Sequence, residues 1–304
     1  MKPLTGIFPV APTPFHDDGA VDTEGMKRVL DCIIDQGVDG ICVLANYSEQ
    51  FLLSDDERAT LTKLCLEHVA GRVPVIVTIS HFATDIVVER AKLCQSLGAA
   101  MVMMMPPYHG VGIVPGEAGI YAQFQAVDAA ISIPIMVQDA PLSGATLSVP
   151  FLTRMAQELE NVSYFKIETP FAADKLAALI DTGGADIVGP FDGEEAVTLL
   201  ADLDAGATGT MTSGMFCDKI RPIVTEHLAG NTDTALEHWA RCLPLINHEN
   251  RQCGLRACKV VFKEGGVIGS DHVRHPLTPL GERTRARLLQ LASDLDIIAL
   301  KWGK

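Results

Sequence analysis

The chain alternates short apolar runs with longer segments of helical periodicity. The apolar runs, rich in Val, Ile and Met, occupy residues 6–11, 40–45, 74–79, 99–104, 134–138, 162–168, 186–191 and 207–212. Nearly continuous hydrophobicity over such short runs is typical of parallel strands that helices cover on the outside. The pattern therefore predicts eight parallel strands.

The segments between these runs carry helix start and stop signals. Residues 54–71 begin with Ser54 as N-cap, continue with acidic residues in the first turn, and end at Gly71. Residues 84–98 predict a second helix, with Thr84 as N-cap and Gly98 as its end. Eight strands alternating with helices predict a (β/α)8 barrel. A doubly wound sheet is disfavoured because no glycine-rich dinucleotide loop follows the first strand.

The C-terminal part of the chain differs from the rest, since it contains helical patterns at 232–249, 256–265 and 281–300 and no convincing strand. We therefore expect two units, a catalytic barrel over residues 1–230 and a C-terminal helical extension over 231–304.

The charge of the chain excludes one class of partner. A net charge of −14 over 304 residues argues against nucleic-acid binding, which needs clustered Lys and Arg. A small anionic substrate remains compatible with it. No run reaches the ~20 apolar residues of a membrane span, and the first ten residues lack a sustained apolar segment. We expect a cytoplasmic protein with no membrane partner.

The eight cysteines form no CxxC pair, and several lie in apolar runs, so they are expected to be reduced, buried thiols. The nearest approach to metal-ligand spacing is His272 with His275, in a proline-containing loop. We expect no metal site there.

The sixth strand carries the most unusual chemistry. Lys166 and Glu168 are two residues apart and therefore project from the same face, on which we also expect Tyr164 and Val162. One interpretation is a structural ion pair, which an isolated Lys-x-Glu favours. The other is a lysine in a water-poor barrel whose pKa is lowered by burial, so that its neutral amine forms a Schiff base with a ketone. A position in the sixth of eight barrel strands favours the second interpretation, because a buried charge pair costs several kcal/mol in desolvation.

Several segments of the chain, taken in their order along the sequence, resemble the motifs of a known family. These are GIFPVAPTPF (6–15), PPYHG (106–110), Lys166 itself, GATGTMTSGMF (206–216) and the C-terminal helices. Essentially the whole chain resembles the dihydrodipicolinate synthase / N-acetylneuraminate lyase superfamily. The resemblance implies a barrel whose Lys166 forms a Schiff base with a small 2-keto acid. It also implies no cofactor and a homo-oligomer, either a tetramer or a dimer.

The segment after the second strand departs from the family pattern. The family has Gly-Thr-Thr-Gly-Glu or Gly-Ser-Thr-Gly-Glu where this chain has 45-ANYSE-49. The resemblance implies that Asn46, Tyr47 and Ser48 hold the substrate carboxylate. Which of them does so stays open, because both glycines are gone. Tyr47 fits a packing aromatic at the barrel rim equally well.

A second departure concerns proton transfer. Gln138 stands where the family usually has a tyrosine on strand 5, and an amide cannot titrate. Glu168 stands where the family often has a small or hydroxyl residue. We infer that proton transfer has moved to strand 6, which suits dehydration rather than carbon–carbon cleavage. The alternative is that Gln138 only fills space.

A subgroup of the superfamily, which dehydrates L-2-keto-3-deoxyarabonate to 2,5-dioxopentanoate, is similar at Lys166, Glu168 and Gln138. In this mechanism Glu168 removes a C3 proton from the iminium and returns it to the C4 hydroxyl as that leaves. The chain length and stereochemistry of the sugar acid stay open.

The resemblance implies further site residues. Tyr108 would assist proton relay, although an aromatic at a subunit contact fits it equally well. Gly189, Asp192 and Gly193 would bind the distal substrate hydroxyls, with Thr210 and Ser213 as weaker candidates. Asp192 also fits the N-cap of the following helix.

Three other functions are weighed against dehydration. An aldolase of the same superfamily would release pyruvate, and a ligand-sensing barrel would bind without turnover. Glu168 argues against the sensor, because a site that has lost its catalytic activity has no reason to acquire a buried carboxylate. Dihydrodipicolinate synthesis fits poorly, since the strand-5 tyrosine is absent and Ser143 and Gly144 occupy the region of the arginine that normally follows it.

Overall fold

A computed structural model describes residues 3–109, 113 and 115–304 of the chain. In these residues eight parallel strands form one sheet in the order β1-β8-β7-β6-β5-β4-β3-β2. A bridge between Val10 and Cys42 joins the ends of the sheet, so that it closes on itself. The strands are β1 (Gly6–Ile7), β2 (Ile41–Val43), β3 (Val75–Thr78), β4 (Met101–Met104), β5 (Ile135–Asp139), β6 (Val162–Ile167), β7 (Gly189–Asp192) and β8 (Gly209–Thr210). The eight predicted strands and the predicted (β/α)8 barrel are confirmed.

Helices follow the strands and form the outer layer of the barrel. They are α1 (Thr23–Asp35), α2 (Asp55–Val69), α3 (Thr84–Ser96), α4 (Glu117–Asp128), α5 (Val149–Glu158), α6 (Ala172–Gly183), α7 (Leu199–Asp204) and α8 (Cys217–Leu228). Three more, α9 (Thr232–His248), α10 (Arg256–Glu264) and α11 (Glu282–Asp294), pack onto the barrel through α8 and one another. A π-helical turn, Glu249–Cys253, follows α9. In the described residues no helix is both long enough and apolar enough to cross a membrane.

The helix boundaries confirm some cap predictions and correct others. Ser54 caps α2 and forms a reciprocal capping box with Glu57, as predicted. Thr84 is not an N-cap: it is the first helical residue, and Ala83 holds the extended backbone before it. The predicted helix 281–300 is also wrong in length. It ends at Asp294 because Asp296 adopts a left-handed φ of 52°, which no α-helix accommodates.

Two apolar layers lie on either side of the sheet. The inner layer, which fills the barrel, consists of Phe8, Val10, Cys42, Ala45, Ile76, Met101, Met103, Met136, Tyr164, Phe191 and Met211. The outer layer lies between the strands and the helices. All eight cysteines are buried and free, as predicted.

Strand β6 contains an irregularity that the alternation pattern did not reveal. Ile135 of β5 pairs with Val162, but the next residue, Met136, pairs with Tyr164, so β6 holds one extra residue. This bulge reverses the side-chain direction. The expectation that Val162 shares a row with Lys166 is therefore wrong, since Val162 packs in the outer layer.

Candidate active site

The register of three neighbouring strands brings the central polar side chains together. Gln138 of β5 lies opposite Lys166 of β6, which in turn lies opposite Phe191 of β7. Parallel strands present their C-terminal ends at one mouth of a barrel, so Gln138 and Lys166 project near that mouth. Lys166 is 3% exposed.

Glu168 links these two side chains. Lys166 Nζ donates to Glu168 Oε1, and Gln138 Nε2 donates to the same oxygen at 2.9 Å. The backbone N–H of Glu168 donates to the Asp139 carbonyl at 3.0 Å, which extends the β5–β6 ladder by one residue and fixes the carboxylate. The sequence therefore correctly predicted that Lys166, Glu168 and Gln138 meet.

The protonation of Lys166 differs from the expectation. Burial acts to lower the pKa of Lys166, but the negative charge of Glu168 and its hydrogen bond to the amine oppose this, and the pKa lies above its ordinary value. The prediction that desolvation lowers this pKa is wrong for the arrangement that the structure shows. The amine is held as an ammonium ion, and Glu168 is the group in contact that can take its proton.

The loop after β2 separates the three residues that were expected to hold a carboxylate. Ser48 is fully buried and uses its hydroxyl locally: it donates to the Ala11 carbonyl at 2.6 Å and accepts from the Ala45 N–H at 3.1 Å. Asn46 accepts from Gln50 Nε2 at 2.6 Å. Ser48 therefore shapes the loop.

Tyr47 of the same loop faces the barrel. Its ring packs against the inner apolar layer. Burial raises the pKa of Tyr47, and the nearby carboxylates Glu195, Glu249 and Glu168 raise it further. Its hydroxyl is a neutral donor beside these groups.

Tyr108 lies at the rim. Its ring packs edge-on against Phe51, with centroids 5.5 Å apart. This placement fits an aromatic at a subunit contact. Gly110, the last residue of the family-like segment 106–110, lies outside the described residues.

The residues of β7 and β8 form a network beneath the mouth. Asp192 is fully buried, and its Oδ2 accepts a hydrogen bond from Thr210 Oγ1. Burial and the adjacent carboxyl of Asp202 raise the pKa of Asp192 well above its usual range, so this pair holds a proton. Asp192 is not a helix N-cap, because α7 begins only at Leu199, after Thr198. Gly189 serves packing, since a Cβ there would lie 2.0 Å from the Tyr164 ring.

Two further buried carboxyl groups, Glu195 near Lys166 and Glu249 near Tyr47, were not identified from the sequence. Glu195 follows β7 in a buried loop, and its Oε2 accepts from Asn250 Nδ2 at 3.3 Å. Glu249 has no exposed surface and lies beside Ser213. The run DGEEA (192–196) contained a signal for Glu195, but nothing in the helical pattern of 232–249 distinguished Glu249.

The C-terminal helices fix the site from outside. Lys259 of α10 and Glu49, after β2, form a fully buried ion pair, and Lys259 also donates to the His272 carbonyl at 2.9 Å. Lys259 Nζ lies 4.1 Å from the centre of the Phe15 ring. The loop that carries Tyr47 is thus tied to the C-terminal region.

Comparison with known proteins identifies the family. The profile of the dihydrodipicolinate synthetase family matches residues 3–295. The chain belongs to this family. The resemblance inferred from the sequence is confirmed.

Two curated relatives differ widely in their distance from the chain. L-2-keto-3-deoxyarabonate dehydratase of Azospirillum brasilense is 57% identical over 298 residues, which cover 98% of this chain and 96% of the relative. 4-Hydroxy-tetrahydrodipicolinate synthase of Salinibacter ruber is 29% identical, with 96% of each chain covered. The chain is thus much more similar to the dehydratase than to this synthase.

A solved structure supports the architecture. Dihydrodipicolinate synthase from Aquifex aeolicus superposes with a TM-score of 0.90 at 22% identity, covering 97% of this chain and 98% of that one. At this identity the likeness shows the fold alone.

Proposed function

We propose that the chain is a Schiff-base-forming dehydratase of 2-keto-3-deoxy sugar acids, with L-2-keto-3-deoxyarabonate as the expected substrate and 2,5-dioxopentanoate as the product. The observation that carries the proposal is the position of Glu168 Oε1, which accepts from both Lys166 Nζ and Gln138 Nε2. The 57% identity to the dehydratase of A. brasilense supports it independently.

The first step is capture of the ketone. Glu168 takes a proton from Lys166, and the neutral amine attacks C2 of the substrate. Glu168 returns that proton to the carbinolamine oxygen, which leaves as water and gives an iminium ion with Glu168 again a carboxylate. Tyr47, beside the buried carboxylates, donates to the substrate carboxylate or to the departing oxygen.

The second step is elimination. The iminium acidifies the C3 hydrogens, and the Glu168 carboxylate removes one of them to give an enamine. The C4 hydroxyl leaves as water once it has received a proton, for which Glu168 itself is the simplest source. The conjugated iminium then loses a C5 proton, tautomerises and is hydrolysed.

Gln138 disfavours the competing reaction. Aldol cleavage requires a base to remove the proton of the C4 hydroxyl. Gln138 occupies the strand-5 position next to Lys166, and its amide can orient that hydroxyl but cannot take its proton. The Gln138 amide also holds Glu168 in place.

The proposal also covers the assembly of the chain and the role of its C-terminal region. We infer that the chain assembles as a dimer or tetramer, because exposed aromatics such as Phe171, 84% exposed, and Phe51, 48% exposed, offer apolar surface for a partner. We further propose that residues 231–304 form an appendage to the barrel 1–230, which braces the site through the Lys259–Glu49 ion pair.

The decisive experiment is product analysis. Purified protein is incubated with L-2-keto-3-deoxyarabonate, and the product is identified by mass spectrometry and by a lactate dehydrogenase-coupled assay. Semialdehyde without pyruvate is expected. Pyruvate release would show an aldolase, and binding without turnover would show a ligand-sensing barrel.

A second experiment tests the roles of the two central residues. Borohydride reduction in the presence of pyruvate is expected to add mass at Lys166, and labelling elsewhere would refute the Schiff-base assignment. Glu168→Gln is expected to form the same adduct but to lose dehydration. Nearly intact turnover by that variant would refute the proton-transfer role.

A further inference from the structure

The loop between β7 and α7, residues 193–198, packs directly against the central pair. A Cβ on Gly193 would lie 2.6 Å from Glu168 Cγ and 2.8 Å from Lys166 Cγ. Only glycine leaves room for both side chains. The backbone of the loop therefore lies in contact with the Lys166 and Glu168 side chains. The same loop carries Glu195, a further buried carboxyl group.

Glu195 is held in an unfavourable backbone conformation. Glu195 and Ala196 both have positive φ angles, 49° and 65°, in the left-handed region that disfavours side chains. Two successive non-glycine residues of this kind persist only where the surroundings fix them, and such strain concentrates at functional sites.

The C-terminal extension fixes this loop with three contacts. Trp239 Nε1 donates to the Ala196 carbonyl at 3.1 Å, and Asn250 Nδ2 donates to Glu195 Oε2 at 3.3 Å. Arg251 Nη2 lies 3.7 Å from Glu194 Oε1. These contacts hold Glu195 in the buried part of the loop, whereas the Glu194 side chain is 30% exposed.

The two carboxyl groups beside Lys166 have opposite surroundings. Glu168 accepts from an ammonium and an amide, which suits a carboxylate. Burial raises the pKa of Glu195 well above its usual range against the opposing charge of Lys166, and the neighbouring Glu168 carboxylate adds to the rise. Glu168, which accepts from the ammonium, therefore suits the base, and the buried Glu195, whose raised pKa favours the protonated form, suits the acid.

We propose that Glu195 is the general acid that protonates the departing C4 hydroxyl, so that Glu168 acts as base and Glu195 as acid. This inference rests on the proposed function and moves one of its steps, protonation of the C4 hydroxyl, from Glu168 to Glu195. The enamine electron pair forms the C3–C4 double bond as the C4–O bond breaks. The Glu195 proton goes to the leaving oxygen, which departs as water.

Both groups then recover their starting protonation states. The Glu195 carboxylate takes a C5 proton from the conjugated iminium, which restores the acid. Glu168 returns its proton to C3, and this leaves an enol at C4 and C5 that becomes the aldehyde. Neither carboxyl group gains or loses a proton over the full cycle.

The test separates the two roles with two substrates. Pyruvate in D₂O reports the base alone, because its methyl hydrogens exchange through Lys166 and Glu168 and it has no leaving hydroxyl. L-2-Keto-3-deoxyarabonate requires base and acid. Glu195→Gln is expected to exchange pyruvate hydrogens near the wild-type rate and to lose dehydration kcat by about 10²–10⁴-fold. Glu168→Gln is expected to lose both activities.

Glu194→Gln is the matched control, since it removes a partly exposed carboxyl group, paired with Arg251, from the same loop. It is expected to retain both activities. Dehydration by Glu195→Gln near the wild-type rate would overturn the proposal. Loss of pyruvate exchange in that variant would also overturn it, because Glu195 would then only position the loop. Failure of the proposed function itself would be visible in the wild-type protein, which would yield no semialdehyde.

Discussion

Glu249 allows a quantitative test of the buried carboxyl groups around the site. Its side chain has no exposed surface, and burial raises its pKa from the ordinary value of 4.5 to about 8, against the opposing effect of the Ser213 hydroxyl. In the unfolded chain the same group ionises near its ordinary value. Between these two pH values the folded protein holds a proton that the unfolded chain has released.

The sign and the size of the effect follow from this difference. A carboxyl group with a raised folded-state pKa stabilises the fold fully below about pH 4.5, and this contribution is lost as the pH rises through about 8. Each unit of pKa difference corresponds to about 1.4 kcal/mol, so the total reaches about 5 kcal/mol. This is a large part of the stability of an ordinary domain.

The perturbation is Glu249→Gln, which replaces the group with a neutral amide of similar shape that cannot ionise. We expect the free energy of unfolding of the wild-type protein to fall relative to that of the variant between pH 5 and pH 9, by several kcal/mol. The measurement is urea unfolding of both proteins across this range at one protein concentration.

Glu160→Gln, which alters an exposed carboxylate, is the control and should leave the pH dependence unchanged. Parallel stability curves for the wild-type protein and Glu249→Gln would refute the reasoning, because Glu249 would then be ionised in the folded protein.

Three further predictions concern the supports of the site. Gly193→Ala places a methyl group against Lys166 and Glu168 and should lower kcat by about 10²-fold, since displacing a catalytic group by ~1 Å has this effect. Gly269→Ala is the control and should leave kcat unchanged, because a Cβ at that position meets open space. Lys259→Met leaves Glu49 buried without its partner and should lower the free energy of unfolding by about 3–5 kcal/mol in urea melts. An unchanged midpoint of urea unfolding would contradict a stabilising role for the buried Lys259–Glu49 ion pair. Ser48→Ala removes two hydrogen bonds and should cost about 1–3 kcal/mol in the same assay, whereas a direct contact to substrate would raise KM with little loss of stability.

The hydrophobic pattern determined the fold class and the central chemistry. Eight apolar runs and their helical connections were enough to predict the barrel, because burial on both faces of parallel strands leaves a distinctive composition. Lys166, Glu168 and Gln138 were predictable because side chains two apart share a face and strand ends share a mouth.

Other features were decided only by the tertiary structure. The bulge that turns Val162 outward depends on pairing with β5, and the sequence of β6 alone does not encode it. The raised pKa of Lys166 depends on the contact with Glu168, which the fold holds against the buried amine. Glu249 comes from a helix far along the chain, and its burial beside Ser213 is a consequence of packing. Local sequence patterns determine the periodicity of helices and strands and the face on which a side chain lies. The protonation of a buried group depends instead on which charges the fold brings together in a medium that excludes water.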